Sequence, residues 1–337
     1  MKIALDAMGG DNAPVETIKG AMMALEEIEG LELVLVGKKE IIEEELSKYS
    51  INKDKIEIVD AREIVLMTDE PVSAIKTKKD SSMNRTLELV KEGKVDASVS
   101  AGNTGALIAA SQLRLKRIKG VLRPAIATMF PNKKGNMLML DVGATADCKP
   151  DFLNQYAMMG SKYVELLMGK KNPTVGLLNI GTEEGKGNEI TREAYELLKN
   201  NKRINFKGSI ESTDMLNGDT DVVVTDGFTG NMVLKTSEGI AKFMLSSIKE
   251  EIGKSFIYKI GALLLKPALK NIVRKMDSSE YGGAIFLGLN GLSIKAHGNS
   301  DSTAIKNAIK VANRFAEMKF IDELKNIIDI QDKEIKL

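Results

Sequence analysis

Five short loops that combine glycine with polar residues are the parts of this sequence best suited to binding chemistry. They are Asp6–Asp11, Ser100–Gly105, Asp141–Gly143, Gly181–Asn188 and Asp226–Asn231. Each follows an apolar run typical of a β-strand. Glycine in such a loop lets the backbone and the free N–H groups of the next helix approach an anion. Any single loop is better explained as a turn that needs a positive φ angle. Five together favour a site for phosphate or another small anion.

Familiar motifs for nucleotides and nucleophiles are absent from these loops. The glycines of Asp6–Asp11 are adjacent and do not fit GxGxxG, and Lys186 comes one position too early for GxxxxGK[ST]. No GxSxG elbow occurs, and the single cysteine, Cys148, lies far in sequence from the single histidine, His297. These observations argue against a dinucleotide site, a covalent acyl-enzyme, an internal disulfide and a multi-histidine metal centre.

Charged and titratable residues near the loops are candidates for catalysis. His297 ends an apolar strand pattern, where an imidazole could move protons near neutral pH, although a structural histidine fits equally well. Lys186 could bind an anion or pair with neighbouring glutamates. Four aspartates at strand ends are better explained by capping and loop bracing than by metal binding, so no metal or cofactor is predicted. These aspartates are Asp6, Asp11, Asp141 and Asp226.

The segment from Lys254 to Lys275 carries a different signal. It has six basic residues and no acidic residue, although the whole chain balances 48 Lys+Arg against 47 Asp+Glu. Its apolar residues recur at helical spacing and predict two amphipathic helical pieces hinged at Pro267. Such a pattern suits an anionic membrane surface or an acidic partner, and a core-packing helix pair with a solvated basic face explains it equally well.

The elements that would position these residues alternate between short β-branched runs and longer amphipathic segments. This alternation predicts an open α/β sheet covered on both faces. Composition shows no boundary between lobes, and the near-neutral net charge of +1 excludes a general polyanion binder, so no nucleic acid partner is predicted. The amino terminus lacks the apolar stretch of a signal peptide, and no apolar run is long enough to span a bilayer. The clearest predicted strands are Ile3–Leu5, Leu33–Val36, Ile56–Val59, Ala97–Val99, Met137–Val142, Val175–Asn179 and Val222–Thr225, and the clearest helices are Val15–Glu29, Asp151–Met168 and Ser302–Phe320.

Motifs spread over nearly the whole chain resemble the bacterial phosphate acyltransferases, which form acyl-phosphate from acyl-(acyl carrier protein) and inorganic phosphate on a route to phosphatidic acid. One departure is Thr145, where the family pattern has asparagine, so no required role is assigned to that position. The matching segments are Met1–Pro14, Ser100–Ala106, Leu140–Ala144 with Asp147 and Lys149-Pro150, Leu178–Asn188, Thr225–Asn231, Tyr281–Ala284, Leu287–Gly291 and Lys295–Gly298.

The resemblance implies a three-layer α/β/α fold with a long mixed sheet, as in phosphotransacetylases and the isocitrate/isopropylmalate dehydrogenases. It implies one unit over residues 1–337, with two interleaved lobes around a central crevice and a helical segment at 230–275 that faces a dimer partner or the membrane. The implied catalytic residues are His297, Lys186, Asn231 and Asp226. The implied phosphate or substrate ligands are Asp6, Gly9, Gly10, Asp11, Gly102, Asn103, Thr104, Gly105, Gly181 and Thr182. The expected membrane or partner contacts are Lys259, Leu263, Leu264, Leu265, Lys266 and Lys270.

The expected partners follow from the same resemblance. They are acyl carrier protein, inorganic phosphate, a second copy of the chain, a membrane glycerol-3-phosphate acyltransferase and an anionic membrane surface. The expected location is the cytoplasm with peripheral attachment to the membrane. Two alternatives stay open from the residues: a phosphotransacetylase acting on acyl-coenzyme A, and a non-catalytic, lipid-binding membrane scaffold.

Overall fold

A computed structural model describes residues 1–50, 53–276 and 282–334 of the chain. In this part of the chain, one sheet of eleven strands runs through the molecule in the order β3-β2-β1-β4-β11-β10-β5-β6-β9-β7-β8. The strands are β1 (Lys2–Asp6), β2 (Glu32–Gly37), β3 (Ile56–Asp60), β4 (Ala97–Ser100), β5 (Ala125–Asn132), β6 (Gly135–Leu140), β7 (Thr174–Leu178), β8 (Asn205–Ile210), β9 (Val222–Val224), β10 (Ala284–Leu287) and β11 (Leu292–Lys295).

Helices cover both faces of this sheet, so the central strands are apolar and buried along nearly their whole length. Their ranges are α1 (Val15–Glu27), α2 (Lys39–Leu46), α3 (Pro71–Thr77), α4 (Ser82–Lys91), α5 (Thr104–Leu115), α6 (Pro150–Met168), α7 (Glu189–Asn200), α8 (Gly227–Gly253), α9 (Phe256–Met276), α10 (Ser302–Glu317) and α11 (Phe320–Glu334).

The predicted mixed sheet and the seven clearest strands are confirmed, each strand within two residues of its expected ends. The helix expected at Ser302–Phe320 ends at Glu317, and α11 begins at Phe320. Asp301 caps α10 by accepting a hydrogen bond from the Ala304 N–H, as its position before the helix predicts.

The two parallel halves of the sheet run in opposite directions. Strands β3, β2, β1, β4 and β11 are parallel to one another, and so are β6, β9, β7 and β8. Between them, β10 is antiparallel to both β11 and β5, and β5 is antiparallel to β6. Three reversals therefore separate the halves.

The register brings the carboxyl ends of both halves to the same level in the middle of the molecule. One row across the sheet contains Ser100, Lys295, Ala284, Thr128 and Met139. The adjacent row ends β6 at Leu140 and β9 at Val224. Successive rows are about 3.3 Å apart, so the loops that follow β4, β11, β6 and β9 all begin beside this central line.

Candidate active site

A central pocket of about 140 Å³ opens at the level where these strand ends meet. Its wall includes Thr128 and Ala284 from the central strands, and its volume has room for about five water molecules. A small anion beside a thioester carbon fits such a space. The polar side chains around it come from three different parts of the chain: Thr104, Asn231, Lys235, Glu238, Lys295, His297 and Ser300.

The loops after β1, β4 and β11 pack directly on one another beside this pocket. The Asp11 N–H donates to the Gly298 carbonyl at 2.8 Å, which joins the first loop to the His297 loop. Gly10 has a φ of 103°, and a Cβ there would lie 3.0 Å from the Gly298 carbonyl oxygen. A Cβ on Gly9 would lie 2.5 Å from an Asp6 carboxylate oxygen. Glycine is therefore required where these loops meet.

Asp6 supports the loops from below. It is buried and accepts hydrogen bonds from the Ser100 hydroxyl at 2.7 Å and the Met8 N–H at 3.3 Å. Burial raises its pKa, and hydrogen bonds from Ser82, Ser100 and two backbone N–H groups lower it, with burial the larger effect. These contacts show that Asp6 braces the strand ends. Its predicted contact with substrate stays a proposal.

His297 lies against α8, the long helix that crosses the central sheet. Its Nε2 atom is 3.5 Å from Glu238 Oε1, and Lys235 Nζ donates to Glu238 Oε2 at 2.8 Å. Hydrogen bonding to His297 is the largest cause that lowers the Glu238 pKa to about 2. Glu238 is therefore a carboxylate that orients the imidazole and one lysine ammonium at the pocket wall.

Lys295 is the cationic residue that sequence reasoning missed. It ends β11, is only 7% exposed, and lines the pocket, where its Nζ donates to the carbonyl oxygens of Ala101, at 3.2 Å, and of Ala296. Burial lowers its pKa to about 8. The negative charges of Asp6 and Asp11 act to raise this pKa, and the positive charge of Lys235 acts to lower it. The signal in the sequence was a lysine at the end of an otherwise apolar strand.

The start of α8 is fixed tightly to the loop after β6. The Gly227 N–H donates to the Thr145 carbonyl at 2.9 Å, and a Cβ on Gly230 would lie 1.9 Å from the Asp141 carbonyl oxygen. The Asp141 carboxylate accepts four backbone N–H groups, from Ile126, Gly143, Ala144 and Thr145, yet burial raises its pKa to about 6. Thr145 contributes to this contact through its backbone N–H and carbonyl groups.

Asp226 caps α8 instead of facing the pocket. Its carboxylate accepts from the Thr229 N–H at 2.8 Å and from the Thr229 hydroxyl at 2.7 Å. Asn231 lies one turn further along and does line the pocket. On the same side of the helix follow Lys235 and Glu238, at the spacings of four and three residues that place side chains on one helical face.

The remaining predicted ligands are distributed unevenly. Asn103 caps α5 by accepting from the Ala106 N–H at 3.0 Å and also donates to the Met67 carbonyl at 3.0 Å, so its amide is engaged in bracing. Thr104 lines the pocket. Gly181, Thr182 and Lys186 follow β7, which is five strand spacings, or about 24 Å, from β11. They form a separate group on the second half of the sheet. Tyr281, part of one matching motif, lies outside the described residues.

A metal site and a nucleophilic thiol have requirements that can be compared with the described residues. No group of three or more His, Cys, Asp or Glu side chains able to hold a metal ion occurs among the described residues. Cys148 is buried, and burial followed by the charges of Asp226 and Asp141 raises its thiol pKa to about 12. The thiolate form needed for nucleophilic attack is thus disfavoured.

The basic apolar segment forms the outer part of a helical hairpin made by α8 and α9. The expected hinge at Pro267 is wrong, because α9 is one helix from Phe256 to Met276 that contains the proline. An exposed helix tolerates the lost N–H because the freed carbonyl can bind water. Leu263 and Leu264 are 68% and 78% exposed. None of the helices described by the structure is both long and apolar enough to cross a membrane.

Solved structures with a similar fold include a phosphotransacetylase from Streptococcus pyogenes, with a TM-score of 0.63, 17% identity and 94% of each chain covered. At that identity the likeness defines the fold. The model of a family described as "Fatty acid synthesis protein" matches residues 1–323. A "Phosphate acyltransferase" of Fusobacterium nucleatum is 64% identical over 332 residues, covering 98% of this chain and 100% of the relative, and one of Clostridium beijerinckii is 50% identical over 327 residues, covering 97% and 98%.

These relatives, together with the fold, define the chain as an α/β enzyme that transfers acyl groups to phosphate. The chain belongs to the bacterial phosphate acyltransferase family.

Proposed function

We propose that this chain forms acyl-phosphate from a long-chain acyl-(acyl carrier protein) and inorganic phosphate, releasing the carrier, for phosphatidic acid and phospholipid synthesis. The observation that carries the proposal is the central pocket, where His297 and two lysines meet beside Thr104 and Asn231. A phosphate anion needs cationic neighbours, and a departing thiolate needs a proton donor. The pocket supplies both on a chain of this family.

Phosphate attacks the thioester directly in this mechanism. One phosphate oxygen forms a bond to the carbonyl carbon, the C–S bond breaks, and the electron pair leaves with the sulfur of the carrier's phosphopantetheine. The high pKa of Cys148 argues against a covalent acyl-enzyme at that thiol. Because phosphate is already a nucleophile, positioning and stabilisation of the developing oxyanion account for most of the rate.

His297 is the proposed proton donor to the thiolate. Glu238, 3.5 Å from its Nε2, orients the ring. The backbone N–H groups of the loops containing Gly9, Gly10, Gly102 and Gly105 hold phosphate, with Thr104 at the entrance. Asp11 and Asn103 maintain the shape of these loops through the contacts described above.

The second half of the sheet contributes the other proposed residues. Asn231 faces the reacting groups, and Asp226 is a positioning residue that acts by fixing the start of α8. Lys186, with Gly181 and Thr182, binds an anionic part of the acyl donor away from the reacting carbon. The chain works as one unit, since a single sheet supplies both groups.

The α8–α9 hairpin is the proposed dimer and membrane surface. Its apolar side chains include Phe243 and Phe256, which are 70% and 76% exposed, and large exposed apolar patches mark interaction sites. We infer a homodimer through residues 230–275 and peripheral attachment near a membrane glycerol-3-phosphate acyltransferase. The side chains that contact anionic lipid are Lys259, Leu263, Leu264, Leu265, Lys266 and Lys270.

The decisive experiment mixes the purified chain with palmitoyl-(acyl carrier protein) and inorganic phosphate. We expect acyl-phosphate, trapped as a hydroxamate, together with stoichiometric free carrier. A parallel reaction with acetyl-coenzyme A measures short-chain exchange. Turnover confined to acetyl-coenzyme A would reject the proposed donor and favour a phosphotransacetylase activity.

A further inference from the structure

The wall of the central pocket contains a buried cation whose charge no carboxylate neutralises directly. Lys295 donates to two backbone carbonyls, and an ammonium has three N–H groups, so one remains for a ligand. No ion pair joins Lys295 to a carboxylate within the described ranges. Burying an unpaired charge is unfavourable unless a counter-charge binds beside it.

The charges of Asp6 and Asp11 attract the Lys295 ammonium, but neither carboxylate forms an ion pair with it in the described part of the chain. Asp6 is held by Ser100 and backbone N–H groups, and Glu238 pairs with Lys235 and faces His297. Glu238 therefore provides one negative charge against Lys235 and His297. Lys295 thus keeps, among the described residues, a positive charge at the pocket wall that no direct ion pair neutralises.

Ser300 provides a second, independent observation. It lines the same pocket, is 7% exposed, and its hydroxyl has no hydrogen-bond partner among the described residues. A buried hydroxyl without a partner is unfavourable and marks a place where a ligand or water completes the bonding. The hydroxyl and the Lys295 ammonium are both donors suited to a phosphate oxygen.

We propose that Lys295, Lys235 and Ser300 form the phosphate subsite of the central pocket. The inference rests on the proposed function in that the bound anion is the inorganic phosphate consumed there. Lys295 and Lys235 neutralise the anion, and Ser300 fixes one of its oxygens. The neighbouring Thr104 then faces the side from which the thioester approaches.

The test measures inorganic phosphate binding by calorimetry, without any acyl donor, and the KM for phosphate in turnover. Lys295→Met removes the charge and retains an apolar stem, and we expect phosphate binding to weaken about tenfold to a hundredfold, the loss of one charge-assisted hydrogen bond. Ser300→Ala should weaken it about threefold to tenfold. Lys134→Met is the control, because it removes a lysine on the surface, away from the pocket. Lys134 lies in the turn between β5 and β6 and pairs with Asp219.

Thermal unfolding of each variant keeps the result interpretable. If Lys295→Met does not fold, the Ser300→Ala and Lys235→Met variants test the subsite. If the heat of phosphate binding to the wild type is too small to measure, the KM for phosphate is compared instead. Folded variants that keep the phosphate affinity and the KM of the wild type would overturn the proposed subsite. If the wild-type protein does not use palmitoyl-(acyl carrier protein) but its phosphate binding still depends on Lys295, only the proposed acyl donor is rejected and the phosphate subsite stands.

Discussion

The contact between Gly230 and the loop after β6 predicts that a single methyl group will disturb the pocket from a distance. In Gly230→Ala, the added Cβ would lie 1.9 Å from the Asp141 carbonyl oxygen and 2.9 Å from Thr225 Cγ2. Ordinary contact requires the helix to recede by about 1.5 Å. Asn231 is the next residue, so a pocket-lining side chain moves with the helix.

The expected magnitudes follow from this displacement. Overpacking costs about 1–3 kcal/mol, and alanine in place of glycine regains about 1 kcal/mol of helix propensity. The Tm should therefore fall by only about 0–8 °C. A misplacement of about 1 Å at reacting groups can lower the rate about a hundredfold, so kcat/KM should fall much more than stability.

Gly239→Ala is the matched control on the same helix. A Cβ at Gly239 meets no heavy atom within 4 Å, so the variant gains about 1 kcal/mol of helix propensity and should keep its activity. The assay compares phosphate-dependent thiol release with thermal unfolding for both variants. If Gly230→Ala unfolds at a lower temperature but keeps kcat/KM within about threefold of wild type, the contact between α8 and the loop after β6 does not position the pocket residues.

Three further outcomes are expected. His297→Gln should lower turnover about a hundredfold or more with an unchanged unfolding temperature, and normal turnover would reject His297 as proton donor. Replacing both Leu263 and Leu264 with glutamate should abolish binding to anionic liposomes while activity on a dissolved donor persists, and retained vesicle binding would exclude this anchor. Because the Lys295 pKa is about 8, its ammonium loses its proton as the pH rises through that value. Phosphate affinity should therefore decrease above pH 8 in the wild type and not in Lys295→Met. An identical decrease in both proteins would mean that another group causes the pH dependence. The charged groups that act on Lys295 are Asp6, Lys235 and Asp11, and Glu238 and His297 line the same pocket.

The sequence predicted those parts of the site that depend on local patterns. Apolar runs predicted strand ends at Leu5 and Thr225, each one residue from the observed ends at Asp6 and Val224, and glycines such as Gly9 and Gly10 marked the loops that follow strands. Their convergence needed the register, because the rows that join Ser100 to Lys295 and Met139 to Val223 depend on pairing between distant segments. Pattern alone does not specify such pairing.

Residues on α8 and at the end of β11 escaped prediction for a related reason. On sequence alone, Lys235 and Glu238 are ordinary solvated positions of an amphipathic helix. Only the fold places them beside the end of β11. Lys295 looks like the polar end of a strand until the neighbouring loops bury it. In each case the chemistry arises from tertiary burial.

The geometry of α8 ties the pocket to the exposed hairpin. The helix starts on the loop after β6, presents Asn231 and Glu238 to the pocket over about 10 Å, and continues without a break to the exposed Phe243 and beyond. A rigid helix transmits a displacement at one end to the other. A displacement of the exposed part of the hairpin would therefore reach the same helix whose Glu238 contacts His297.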